Sequence, residues 1–255
     1  MKHSGTFSKL AALGLALAAV FFINSAQAVT NAGTQQGQAK VTKITGNATY
    51  RSASQSGDLK VGQILTAGAS ISTGPAATVD LSLCVNGQSL TISSDSTVAI
   101  DQLDFTGTGD EAVINTRLNL TKGGLNGNVK KLAGNSKYEI KTANGVAGVR
   151  GTTYAILSNG VTHVFRGAVY MRFVVGGVAS EPFLVLAGQT VYPPTTPGGV
   201  PTLGPRPSEM DLRTADREKI RDRGGVVPTV IYVSPTTGTS TPEPEPEHPG
   251  GCGPA

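Results

Sequence analysis

Between about Lys40 and Tyr192 the chain changes character every few residues. Short runs rich in Val, Ile, Leu and Thr alternate with Gly and Asn, and no run keeps a helical period. In TVDLSLCV, residues Val79, Leu81, Leu83 and Val85 fall on one face and Asp80, Ser82 and Cys84 on the other, the period-two pattern of a half-buried strand. NTRLNL repeats the device with Leu118 and Leu120, and AVYMRFVV sets Val169, Met171, Phe173 and Val175 on one side. Turn signals separate the runs: Asn86-Gly87, Asn144-Gly145, Asn159-Gly160, Gly123-Gly124 and Gly176-Gly177.

Strands spaced by turns at this density build a sandwich, a barrel or a solenoid. No repeat of fixed period and no glycine-aspartate calcium repeat is present. With no tryptophan and few other aromatics, the core is expected to be built mainly from Val, Ile, Leu and Ala, small and similar side chains that stack well in a narrow, layered β core. The expected fold is all-β: an irregular β-solenoid or β-roll-like single domain, with a short C-terminal helix and a disordered tail.

Both ends of the 255-residue chain lie outside that domain. Residues 1–28 read as a signal peptide: Lys2 and Lys9, an apolar run from Leu10 to Ile23, and Ala26 and Ala28 as an A-x-A cleavage site. The apolar run falls short of the roughly 20 residues a membrane span needs, so no transmembrane span is expected in the mature chain, retention as an uncleaved anchor being the alternative. The β domain occupies 29–192. A Pro-rich linker follows at 193–207, then a charged helix at 208–225, a lone strand at 226–234 and a Pro/Glu tail at 235–255. Residues beyond about Tyr192 are expected to be dispensable for folding.

The chemistry-bearing residues are sparse. Of three histidines only His163 lies inside the β domain, and no spacing of His, Cys and carboxylates supplies a zinc site. Catalytic residues, metal and cofactors are expected to be none, and the protein is expected not to be an enzyme. The two cysteines, Cys84 and Cys252, make no disulfide framework and are expected to stay unpaired. Net charge is +4, or +2 once Lys2 and Lys9 leave with the signal, too nearly neutral for a nucleic-acid binder. A basic cluster does occur: Arg117, Lys122, Lys130, Lys131, Lys137 and Lys141 against Glu139. It fits an anionic envelope polysaccharide, or simply a solvated strand face. In NGVAGVRGT, Asn144, Gly145, Gly148, Arg150, Gly151 and Thr152 form a glycine-rich bend around one arginine. Its guanidinium either satisfies several turn carbonyls as a structural clamp, with help from the Thr152 hydroxyl, or binds a partner.

The stretch YEIKTANGVAGVRGTTYAI resembles the FecR domain family through its K-T-x-x-G-x-x-x-V-R-G-T-x-F/Y block. VGQILTAGASISTGPAATVDLSL is similar to the family's G-x-x-L-x-x-G-x-x-I-x-T-G segment, and RGAVYMRF with LVLAGQTV resembles its closing strands. The resemblance implies an extracytoplasmic all-β interaction module of bacterial iron-uptake signalling, periplasmic or secreted. The implied partner is an envelope protein such as an outer-membrane transporter domain. Sigma-regulating members place a cytoplasmic anti-sigma segment and a membrane helix before this domain, whereas here a signal peptide stands directly in front.

Overall fold

The period-two runs become strands of two facing sheets. A computed structural model describes residues 33–87 and 89–210. In spatial order the first sheet runs Ala168–Val175, Gly145–Val149, Lys137–Thr142, Val113–Lys122, Thr97–Thr106, Ser70–Thr73, Ala48–Arg51 and Ser56–Asp58. Val178–Ala179 and Phe183–Leu186 form its edge beside Ala168–Val175, and Gln35–Gln36 also pairs with Thr97–Thr106. The second sheet runs Thr202–Leu203, Thr190–Tyr192, Thr162–Arg166, Thr153–Leu157, Gly124–Asn128, Ser89–Ile92, Thr78–Ser82, Ala39–Thr45 and Ile64–Leu65. Among the described strands one pair is parallel, Val113–Lys122 with Lys137–Thr142, and the remaining pairs are antiparallel.

Alternation decides which side of each sheet is filled. Ile71, Ile100, Leu118, Ile140 and Phe173 of the first sheet meet Val41, Leu81, Ile92, Ile156 and Val164 of the second in one buried cluster. Each is essentially inaccessible to solvent, and burial of this kind is the main favourable term in folding. The arrangement is two layers with one shared core, so the all-β expectation holds, whereas no solenoid is assigned. The core is mainly Val, Ile, Leu and Ala, with Tyr138, Tyr154 and Phe173 buried among them.

Four local readings change. The TVDLSLCV strand stops at Ser82, and a 3-10 turn takes over at Cys84–Asn86. It turns because Asn86 points inward, where its Nδ2 donates to Asp104 O at 2.7 Å and Thr116 Oγ1 at 3.2 Å. Cys84, now a half-buried turn residue, is disulfide-bonded, which corrects the expectation of an unpaired thiol. Cys252, the chain's other cysteine, lies outside the described residues.

The Pro-rich stretch is not a free linker. Thr202–Leu203 pairs with Val191 and Tyr192, and the Tyr192 hydroxyl donates to Pro205 O at 2.6 Å. Arg206 lies over the Phe165 ring, 5.3 Å from its centroid, and Met210 is buried with Ala155, Val161 and Phe165. Proline removes donors but leaves carbonyls and apolar ring surface, enough to cover the outer face of the second sheet. The helix expected at 208–225 appears among the described residues only as a 3-10 turn, Ser208–Met210. The expected signal peptide at 1–28, the strand at 226–234 and the tail at 235–255 lie outside the described residues.

Candidate functional site

The VRGT block is a corner between sheets. Val149 ends a strand of the first sheet and Thr153 begins one of the second. Gly151 makes the turn with φ of 67°, a left-handed conformation that suits glycine, and a Cβ there would meet Lys131 Cα at 3.3 Å. Thr152 is buried, and its hydroxyl lies 2.7 Å from Ala168 O and 3.2 Å from Arg150 O. That hydroxyl ties the corner to the start of the neighbouring Ala168–Val175 strand.

Arg150 itself points outward. Its side chain donates through Nη2 to one backbone carbonyl, Leu132 O, at 3.1 Å, and the residue is exposed. Asn144 bridges to Asn159 O at 2.8 Å through Nδ2. Gly145 fits where a Cβ would collide with the carbonyl of Arg172 and reach Phe173 Cα at 2.9 Å. At Gly148 a Cβ would meet Tyr170 O at an ordinary 3.7 Å, so close approach does not account for glycine there.

The corner walls a cleft of about 550 Å³ at one end of the sandwich. Strand registers bring its parts together: Thr153 lies opposite both Asn128 and Arg166, while Lys130 and Lys131 follow Asn128 in the next loop. Lys130, Lys131, Arg150 and Arg166 line it with Asn128 and Thr153, whose side chains approach to 3.3 Å. Among the described lining residues none is acidic. Lys130 pairs with Asp110 at 3.1 Å, a carboxylate almost wholly in water.

Only part of the sequence-derived basic cluster reaches this cleft. Arg117 and Lys141 lie on the first sheet opposite Glu139 and Val146, and Arg117 is bound to Glu139 at 3.1 Å. Lys137, at the start of its strand, lies toward the corner end of the sheet but is not among the cleft's described walls, and Lys122 ends the parallel neighbour at the opposite end. The six cations therefore do not form one surface. Sequence reasoning missed Arg166, although HVFRGA repeats the strand-arginine-glycine pattern of VRGT.

A second feature lies on the first sheet's outer face. Val146, Tyr170, Val174, Leu184 and Leu186 are all exposed there, Tyr170 to 62%. Tyr170 stands opposite Gly148 on one side and Leu184 on the other. Phe183–Leu186 pairs with Ala168–Val175 alone, so its other side is an open edge among the described strands. Gln189 occupies the backbone N–H and C=O of Leu186 on that open side. By antiparallel alternation the N–H and C=O of Leu184 face the same way. The signal missed in sequence was FLVL, apolar at consecutive positions.

His163 is buried, with Nδ1 2.8 Å from Thr190 Oγ1 and Nε2 3.3 Å from Arg206 Nη1. Among the described residues no group of three or more His, Cys, Asp or Glu could hold a metal ion, and no described helix is long and apolar enough to cross a membrane. No curated protein matches the chain. Residues 69–170 match the family model described as FecR protein, so the span that holds the VRGT corner and every described wall of its cleft is a FecR-family domain, of a family tied to signalling regulators.

Proposed function

We propose that this domain is a non-enzymatic extracytoplasmic interaction module that takes part in signalling by receiving an extended strand of an envelope protein partner. The partner class implied by the family is the periplasmic domain of an outer-membrane transporter. One observation carries the reading: the open Phe183–Leu186 edge lies beside the exposed apolar side chains of Tyr170, Leu184 and Leu186. An added strand would gain main-chain hydrogen bonds at Leu184 and side-chain contacts on alternate positions. Exposed apolar sheet edges are aggregation hazards unless something covers them.

Leu184→Asp tests it. Capture of an envelope partner should fall at least about ten-fold, with the melting temperature unchanged because Leu184 is exposed. Val61→Asp, at an exposed loop far from this edge, should leave capture intact. Full capture by the Leu184 variant would overturn the reading.

A further inference from the structure

We propose that the cleft beside the VRGT corner is a binding site for a saccharide bearing phosphate groups. Four cationic side chains, Lys130, Lys131, Arg150 and Arg166, line one cleft with no described acidic wall. Such a group repels itself, and a multiply charged anion relieves that repulsion. The neighbouring carboxylate does not do so permanently: Asp110 is 97% exposed in its pair with Lys130, and an ion pair so wet exchanges readily with another anion.

The arginines narrow the anion to one with several oxygens in a fixed geometry. A guanidinium fork matches phosphate in two parallel hydrogen bonds. Arg150 is held in place through one donor on Leu132 O, which leaves the rest of its five N–H groups for a ligand without the full entropy loss of ordering a free side chain. The volume sets the ligand's size. About 550 Å³ lies in the range of small-ligand sites and far exceeds one phosphate. The Asn128 amide and Thr153 hydroxyl provide hydrogen-bonding groups suited to sugar hydroxyls on the same wall. No described aromatic lines the cleft to stack a base, which argues against a nucleotide.

No described residue that lines the cleft belongs to the strand-docking face. Arg166→Gln and Leu184→Asp change different surfaces, so either reading can fail alone. Calorimetric titration of the full chain with glucose 1-phosphate, inorganic phosphate and glucose is the test. Glucose 1-phosphate should bind at least about ten-fold more tightly than inorganic phosphate, and glucose should not bind. The pair Lys131→Gln with Arg166→Gln should lose that binding at an unchanged melting temperature, while Arg166→Lys should retain part of it because charge persists without the fork. Glucose 1-phosphate bound no better than inorganic phosphate, or bound equally by the double variant, would overturn the proposal.

Discussion

Arg150 and Thr152, two residues apart, divide the VRGT corner between them. Thr152 holds the corner together from inside, and Arg150 projects outward on a single carbonyl contact. Arg150→Ala should therefore cost less than about 1 kcal/mol, as exposed substitutions do. Thr152→Val removes a buried hydroxyl from two carbonyls and should cost about 1–3 kcal/mol. The glycines separate in the same way. Gly145→Ala forces its new methyl into the Arg172 carbonyl and should lower the melting temperature by several degrees, whereas Gly148→Ala should leave it near that of the parent. The sequence made all six motif residues visible but could not rank them. Which glycine faces a neighbouring backbone depends on the pairing with Ala168–Val175, a strand more than twenty positions away.

At the scale of elements, the interior is shaped by two tyrosines that face each other across the core. Burial pushes Tyr138 up to about 12 and raises Tyr154 well above its ordinary value, the neighbouring tyrosine being a lesser influence on each. In the unfolded chain both ionise near 10. Raised folded values mean that stability is intact below pH 10 and is lost as pH rises above it. Chemical denaturation at stepped alkaline pH checks this: a stability curve flat from pH 9 to pH 11 would contradict the buried pair. The C-terminal segment supplies a second check. Met210→Ala should cost about 2–4 kcal/mol through loss of its packing on Ala155, Val161 and Phe165. Alternation revealed the strands of the core, because a half-buried strand writes its burial into every second residue. The covering segment 193–210 stayed hidden because proline signals restricted backbone and says nothing of what the chain rests on.

For the whole molecule, the two sheets share one core and leave different chemistry on different surfaces. The middle of the first sheet's outer face is charged, with Arg117, Glu139 and Lys141, and becomes apolar toward the Phe183–Leu186 edge. The all-β class and the family segment were legible because both are written in local pattern. The two-layer topology, the gathering of Arg166 with Lys131, and the open edge were not, because each depends on which distant strands become neighbours. Site-specific photo-crosslinking in cells that produce the full chain tests the central claim, that this face receives a partner strand. A photoreactive residue at position 184 should give one discrete adduct with another protein, and the same residue at position 61 should give none. Equal adducts at both positions, no adduct at 184, or an adduct of twice the chain's own mass would contradict it.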